Sequence, residues 1–160
     1  MQLVVLGLNH RSAAVEVRER FSFEKNEVES ALNRLYEYEK ISECVILSTC
    51  NRTEIYAVLE DVQSPKAYML DVLKHLKHAD TIDESAFFFY EEKACIEHLF
   101  RVSASLDSLV LGEGQILSQL KGAYIAAYSA GFTGTVFNIL FQRAIGVGKK
   151  VQIGRASCRE

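Results

Sequence analysis

The stretch CVILSTCNRTEIYAVL, residues 44–59, decides the fold of this chain. Two runs of strand-forming residues, Cys44–Thr49 and Glu54–Leu59, flank the short segment Cys50-Asn51-Arg52-Thr53. A connection that short joins antiparallel strands, because a parallel pair needs a crossover of a dozen or more residues. The stretch therefore predicts a β-hairpin with a cysteine in or beside its turn.

The segments on either side of the hairpin alternate between strand and helix patterns. Leu3–Leu8 is a continuous apolar run, which is typical of a buried strand, and Phe87–Tyr90 reads as a short aromatic strand. Glu24–Tyr38 has apolar residues at helical spacing, with Ser22 as its expected cap. Ser64-Pro65 is a favourable start for another helix. The order β-α-β-β-α-β predicts an α+β, ferredoxin-like domain.

Further helices are predicted beyond this unit. Arg11–Glu19 is charged and is expected to form a loop or a short turn of helix. After the last strand, apolar residues recur at helical spacing in three segments. These are Glu91–Ala104, Glu113–Tyr128 and Val136–Val147. The ferredoxin-like domain is therefore expected to carry additional C-terminal helices.

Composition limits the class of protein. The 160 residues are enough for one domain, and 18 Lys and Arg against 21 Asp and Glu give a net charge of −3, which excludes a globally basic nucleic-acid wrapper. No apolar run approaches the roughly 20 residues of a membrane span, and the N-terminal run reads as a strand rather than a signal peptide. The sequence thus predicts a cytoplasmic protein with reduced thiols and no membrane partner.

The hairpin turn is the first place where chemistry is expected. Cys50 would be held near the surface where a buried strand enters a tight turn, and a guanidinium two residues later, Arg52, favours the nucleophilic thiolate. Arginine is also well shaped to hold a carboxylate. The alternative is a small buried cysteine and a solvated arginine, and the local pattern alone leaves both open.

A second candidate region enters the helix predicted from Glu113. Gln115 and Gln119 share a helical face, and the amides at a helix start can receive a carboxylate or a phosphate. The alternative is a capped helix with solvent-facing glutamines. His98 is either a proton-transfer partner for a thiol or a half-buried histidine with a satisfied hydrogen bond. The cysteines lack the spacing of a zinc site, and Gly112-Glu113-Gly114 lacks the third glycine of a dinucleotide-binding loop.

Taken in order, three blocks of sequence resemble the N-terminal catalytic domain of the glutamyl-tRNA reductase family. The first is the opening Asn9-His10, the second is residues 48–54 (STCNRTE), and the third extends from His98 through residues 106–113 to Gln115-Ile116. The resemblance covers the chain from about residue 7 to Val151, so residues 1–151 are expected to form this domain. Residues 152–160 fit the family poorly and are expected to be an artefactual tail.

The resemblance implies an activity and a set of functional residues. A cysteine thiolate attacks glutamyl-tRNA to form a thioester, and NADPH reduces that thioester to glutamate-1-semialdehyde, the first step of tetrapyrrole (porphyrin) biosynthesis. The family's nucleophile matches Cys50, and its activity-affecting histidine matches His98. Its substrate-binding positions match Thr49, Asn51, Arg52, Ser108, Glu113, Gly114, Gln115 and Gln119.

The resemblance also implies partners and limits. The family's NADPH-binding and dimerisation domains are not expected in this chain, so the chain should form the thioester without completing hydride transfer. Glutamyl-tRNA is the implied substrate, a homodimer is implied for the full-length enzyme, and glutamate-1-semialdehyde aminotransferase is an implied partner. Two alternatives stay open, which are a cofactor-independent Cys/His thiol esterase and a non-catalytic tRNA-binding module. The net charge of −3 argues mildly against a free-standing RNA binder.

Overall fold

The computed structural model describes residues 1–106 and 115–158, the last three of these for the backbone only. Within these residues the chain forms four strands and six α-helices. The strands are β1 (Gln2–Asn9), β2 (Ile41–Ser48), β3 (Arg52–Leu59) and β4 (Phe88–Glu91). The helices are α1 (Val15–Phe21), α2 (Lys25–Arg34), α3 (Pro65–Leu76), α4 (Glu92–Ser103), α5 (Gln115–Ser129) and α6 (Thr135–Cys158). None of these helices is long and apolar enough to cross a membrane.

The strands form one antiparallel sheet in the order β2-β3-β1-β4. The predicted hairpin is confirmed, and its strands pair to the very edge of the turn, where Ser48 lies opposite Thr53. Strand β1 lies between β3 and β4, with Asn9 opposite Arg52. This order and the element sequence confirm the ferredoxin-like prediction. The sheet brings the end of β1 beside the turn that carries Cys50.

Helices cover the sheet and close the core. Every residue of β3 is buried, which is why its sequence lacks a clean alternation between polar and apolar positions. Helix α4 packs against β1, and α5 packs against β2. Helix α6 reaches β3 through Phe141, whose ring meets the Tyr56 ring edge to face at 5.4 Å. The additional C-terminal helices are therefore part of the same core as the sheet.

Two helix predictions need correction. Ser22 does not cap α2, because α1 extends to Phe21 and Ser22 ends it by donating a hydrogen bond to the Glu19 carbonyl at 3.0 Å. The N-cap of α2 is Glu24 instead. The last helix does not end at Val147 but continues to Cys158, since no proline interrupts it after that point. The glycines inside it weaken helix propensity without breaking its hydrogen bonds.

Helix α6 begins at a buried carboxylate that belongs to strand β2. The pairing of β2 with β3 shifts between Ile41 and Glu43. The Glu43 side chain, 7% exposed, accepts hydrogen bonds from the backbone N–H groups of Gly134 at 2.6 Å and Phe137 at 2.8 Å. A carboxylate at a helix N-terminus satisfies unpaired donors and interacts favourably with the helix dipole. Glu43 thereby fastens α6 to the sheet.

Candidate active site

The hairpin turn holds Cys50 in a fixed and exposed position. The Thr49 N–H donates to the Arg52 carbonyl at 2.8 Å, and the Thr49 hydroxyl oxygen accepts from the N–H groups of Asn51 and Arg52, both at 3.2 Å. Two residues, Cys50 and Asn51, therefore span the turn. A threonine hydroxyl that accepts from the backbone in this way stabilises a tight turn. The expectation that Cys50 lies near the surface is confirmed.

Cys50 differs from the other cysteines whose side chains are described. Cys44 and Cys95 are buried, whereas Cys50 is exposed. Burial raises the pKa of the Cys44 thiol to about 12. Burial also raises the pKa of Cys95, and the charge of the Glu54 carboxylate adds to that shift. Because the thiolate is the nucleophile, the two buried thiols are unreactive near neutral pH. Within the described side chains, a reactive cysteine is therefore expected only at the turn.

A buried carboxylate, Glu54, lies next to the turn and gathers three side chains. Its Oε2 accepts from Arg52 Nη1 at 2.9 Å and lies 2.7 Å from His98 Nε2. Its Oε1 accepts from the Tyr56 hydroxyl at 2.7 Å. Glu54 is fully buried, and Arg52 is only 3% exposed. Burial removes the water around both charges, which is unfavourable. Well-aligned hydrogen bonds between the two groups and to their neighbours must offset that cost.

The protonation state of Glu54 determines which ring nitrogen of His98 carries a proton. Burial alone would raise the pKa of Glu54, but the hydrogen bond and charge of His98, with Arg52 and Tyr56, hold that pKa below its ordinary value. An ionised carboxylate only accepts hydrogen bonds, so His98 Nε2 must carry the proton that it donates. In the neutral ring, Nδ1 then keeps its lone pair and is the atom that can take a proton. Glu54 thus fixes the tautomer of His98.

A cavity of about 440 Å³ opens beside His98. It is lined by side chains from β1 and the turn after it, from β4, and from α4. These are Asn9, Arg11, Ser12, Phe88, Tyr90, Ala94, Glu97, His98 and Arg101. Its volume lies within the range of ordinary small-molecule sites. The cavity is a candidate binding site that includes one of the predicted catalytic residues.

Gly7, on β1, allows atoms of the two neighbouring strands, β3 and β4, to approach its backbone closely. A Cβ at Gly7 would lie 2.6 Å from Phe88 Cζ, 2.9 Å from the Thr53 carbonyl oxygen and 3.0 Å from Glu54 Cγ. The carbonyl belongs to the paired strand and cannot move without disturbing the sheet. A hydrogen is therefore the largest group that fits here without displacement.

Gly7→Ala is expected to lower the free energy of unfolding by about 1–3 kcal/mol, the usual cost of overpacking a core. Urea denaturation followed by circular dichroism measures the change. The matched control is Gly122→Ala in α5, where a Cβ meets nothing within 4 Å. That change should instead stabilise by about 0.5–1 kcal/mol, because glycine is a poor helix former. Equal and small effects at the two positions would contradict the close approach at Gly7.

The predicted site residues divide into three groups. Thr49, Cys50, Asn51 and Arg52 form the turn, and His98 joins them through Glu54. Gln115 and Gln119 are exposed on α5. Gln119 lines a second cavity of about 320 Å³ that also takes in Ser48, the residue before the turn. The remaining predicted residues, Ser108, Glu113 and Gly114, lie outside the described residues.

Two features of the site have no counterpart in the predictions. Arg52 was expected to hold a substrate carboxylate, yet in this structure its guanidinium donates to Glu54. The substrate role of Arg52 stays a prediction, and any ligand there would share the guanidinium with Glu54. Glu54 and Tyr56 themselves were missed. The available signal was the alternation Arg52, Glu54, Tyr56, which places three polar side chains on one face of a strand that is apolar from Ala57 onward.

The described residues do not fit a dinucleotide cofactor. Dinucleotides bind where parallel strands end at a reversal of strand order, above a glycine-rich turn into a helix. The sheet in the described part of the chain is antiparallel throughout. Over the same residues, no group of three or more His, Cys, Asp or Glu side chains is arranged to hold a metal ion. We therefore derive no step through a nicotinamide cofactor from this site.

Comparison with known proteins agrees on one family. The model of the glutamyl-tRNA(Glu) reductase N-terminal domain matches residues 6–153. The glutamyl-tRNA reductase of Bacillus subtilis is 42% identical over 151 residues, which cover 94% of this chain and 33% of that protein. The Listeria welshimeri enzyme is 43% identical over 152 residues, covering 94% of this chain and 35% of that protein.

A solved structure supports the same assignment. The glutamyl-tRNA reductase from Methanopyrus kandleri superposes with a TM-score of 0.76 at 33% identity, over 95% of this chain and 34% of that one. The chain spans about a third of the length of the relatives it matches. The antiparallel sheet, the exposed cysteine in its hairpin turn and these matches together show that the chain belongs to the glutamyl-tRNA reductase N-terminal domain family.

Proposed function

We propose that this chain performs the acyl-transfer half of glutamyl-tRNA reduction, in which the glutamyl group moves from tRNA to Cys50. The observation that carries the proposal is the exposed thiol on a hydrogen-bonded two-residue turn, while Cys44 and Cys95 are buried. The names of the relatives, glutamyl-tRNA reductases, support glutamyl-tRNA as the substrate. A thioester accepts hydride more readily than an ester does, which is a physical reason for a covalent step before reduction.

The proposed step forms one bond to the glutamyl carbonyl carbon and breaks another. Cys50 Sγ attacks the ester carbonyl carbon, so a C–S bond forms and the carbonyl π electrons move to oxygen. The tetrahedral intermediate then collapses, the bond from carbon to the ribose oxygen breaks, and that oxygen leaves with a proton. The products are a glutamyl thioester at Cys50 and deacylated tRNA. In this scheme Thr49 and Asn51 hold the turn, which keeps the thiol in position for attack.

We assign the proton transfer to His98. Its Nε2 is committed to Glu54, so Nδ1 is the atom proposed to take the proton from the thiol and return it to the departing ribose oxygen. The imidazolium that forms in between would be stabilised by the ionised Glu54. The residues that match the family's substrate-binding positions are proposed to hold the glutamyl group: Thr49, Asn51, Arg52, Ser108, Glu113, Gly114, Gln115 and Gln119.

The rest of the reaction belongs, in this proposal, to the whole protein. There, NADPH would reduce the thioester to glutamate-1-semialdehyde for tetrapyrrole synthesis in the cytoplasm. A homodimer and a glutamate-1-semialdehyde aminotransferase partner are proposed for the full-length enzyme only. No step of the reduction is assigned to the residues described, so this chain should stop at the thioester.

The test is incubation of the folded chain with glutamyl-tRNA that carries radiolabelled glutamate. We expect the label to appear on the protein without NADPH, and peptide mapping should find it on the peptide that contains Cys50. Treatment with hydroxylamine should release it, since thioesters are sensitive to that nucleophile. A folded sample that gains no label at Cys50 would sink the proposal. Repeated release of free glutamate without a labelled protein would favour the thiol esterase alternative.

A further inference from the structure

We propose that the cavity between β4 and α4 binds the 3′-terminal nucleotide of the aminoacylated tRNA, a proposal that rests on the proposed function. The cavity is the one lined by Phe88, Tyr90 and His98, and we call it the aromatic cavity. None of its side chains except His98 has been given a role in the reaction above.

The cavity has an aromatic wall. The Phe88 and Tyr90 rings are stacked at 5.2 Å with 24° between their planes. The His98 ring lies 4.9 Å from Phe88 and 5.2 Å from Tyr90. Tyr90 is 39% exposed, so part of its ring is accessible to a ligand in the cavity. Unpaired bases at RNA ends are recognised by stacking on such rings.

Charged side chains lie around that wall. Arg11, in the turn after β1, and Arg101, on α4, line the same cavity. The chain as a whole carries a net charge of −3, so two guanidinium groups beside an aromatic wall form a local basic site. Arginine binds phosphate through paired hydrogen bonds. Glu97 also lines the cavity, and its carboxylate can accept from the amino group of adenine or cytosine.

A hydrogen-bonded turn after β1 places Arg11 beside the aromatic cavity. Asn9 is buried, and its Oδ1 accepts from the N–H groups of Arg11 at 2.9 Å and Ser12 at 3.2 Å. The Asn9 N–H in turn donates to the Ser12 hydroxyl oxygen at 3.0 Å. An asparagine that accepts from the backbone two and three residues ahead fixes the direction of the chain after a strand. The backbone of Arg11 is therefore fixed at the end of β1, in the same sheet that holds Phe88 and Tyr90 on β4.

The aromatic cavity lies near Cys50. Asn9 lines the cavity and pairs with Arg52, which follows Cys50 by two residues. With roughly 5 Å between strands and 3.3 Å per residue, the Cα atom of Cys50 lies roughly 10 Å from that of Asn9. In an aminoacylated tRNA, the amino acid is esterified to the ribose of the terminal adenosine. An ester carbon at Cys50 thus leaves the base within a nucleotide's reach of the aromatic wall.

The hairpin turn lies between two recesses, the aromatic cavity and the cavity that contains Gln119. Ser48 lines the recess that contains Gln119, and its hydroxyl lies 3.4 Å from that of Thr53. Successive side chains of a strand point to opposite faces, so Thr53 faces away from Glu54 and its partner His98. Gln119, one of the predicted glutamyl-binding residues, is therefore on one side of the turn, whereas Arg52, another of them, shares the face of Glu54. The aromatic cavity is on the other side of the turn, where the nucleotide end of the substrate would extend.

Direct binding of RNA tests the assignment. The probe is a fluorescent single-stranded RNA that ends in CCA and carries no amino acid. It is titrated at fixed salt against the whole chain. Tyr90→Ala and Arg101→Ala are each expected to weaken binding about tenfold, the usual loss for one stacked base or one phosphate contact. Tyr90→Phe keeps the ring and should restore binding. The controls are Tyr128→Ala and Lys121→Ala, which change an exposed tyrosine and an exposed lysine on α5.

Photocrosslinking gives the position independently of affinity. The same RNA with a 3′-terminal azidoadenosine should attach to the peptides that contain Tyr90 or His98. Attachment to the α5 peptide around Gln119, or unchanged binding by folded Tyr90→Ala and Arg101→Ala chains, would overturn the proposal. Label transfer from glutamyl-tRNA to wild-type Cys50 separates the two claims. If that transfer occurs while the crosslink falls elsewhere, the nucleotide site is wrong and the acyl-transfer function stands.

Discussion

Replacing Cys50 with alanine is expected to lower glutamyl transfer to the chain about a thousandfold or more, because the variant has no nucleophile at the turn. Cys50→Ser should also lose most of the transfer, since a hydroxyl is a much weaker nucleophile than a thiol near neutral pH. The measurement is the initial rate of radiolabel uptake from glutamyl-tRNA, without NADPH. Circular dichroism should show the same fold in both variants, because the Cys50 side chain is exposed and supports no packing.

The matched control is Cys44→Ala, which removes a thiol from the core. Burial keeps the pKa of Cys44 at about 12, so that thiol stays protonated and takes no part in transfer. A folded Cys44→Ala chain should therefore take up label at the rate of the wild type. If Cys50→Ala kept its label while Cys44→Ala lost it, the assignment of the nucleophile to the turn would be wrong.

The second large effect is expected at Glu54. Glu54→Gln should lower the free energy of unfolding by about 3–5 kcal/mol, because the buried Arg52 guanidinium then loses the charge of the Glu54 carboxylate. The double variant Glu54→Gln with Arg52→Gln should lose less than the sum of the single changes, since it removes both charges of the pair. Urea denaturation at neutral pH gives all three values. The control is Glu60→Gln, an exposed carboxylate just beyond β3, with an expected change below about 1 kcal/mol.

The effect of Glu54 should depend on pH in a defined direction. The pKa of Glu54 in the folded chain lies below its ordinary value of 4.5, so folding favours the ionised form. That contribution is fully present above the unfolded pKa and is lost as the pH falls through the folded one. The difference between wild type and Glu54→Gln should therefore be constant above about pH 5.5 and shrink below pH 4.5. A difference that grows on acidification would contradict an ionised Glu54.

Much of the fold follows from local patterns that survive in the structure. The short connection between two strand-forming runs predicts the hairpin, because only antiparallel strands can be joined so closely. Pro65 begins α3 as expected, since proline suits the first turn of a helix. Helix α4 buries Cys95, Leu99 and Val102 on the predicted face. The errors concern ends, where Ser22 and Val147 lack a local signal strong enough to fix a boundary.

The site was predicted less completely than the fold. Cys50, Arg52 and His98 were each proposed from sequence, but nothing in the sequence joins residue 98 to the hairpin. That link is Glu54, which sits in a strand and reads as an ordinary charged residue until its burial is known. The aromatic cavity has the same origin, because Asn9, Tyr90 and Arg101 come together only when β1 pairs with β4 and α4 packs on the sheet.

The sequence by itself determined what depends on neighbours along the chain: the hairpin, the helix faces and a cysteine at an exposed turn. It also carried the family resemblance that the comparisons confirmed. Only the tertiary structure decided what depends on distant residues. It buried Glu54 between Arg52 and His98, set Glu43 under α6, and opened one recess on each side of the turn. The physical reason is that turn and helix patterns are short-range, whereas the burial of a charge is defined only by everything packed around it.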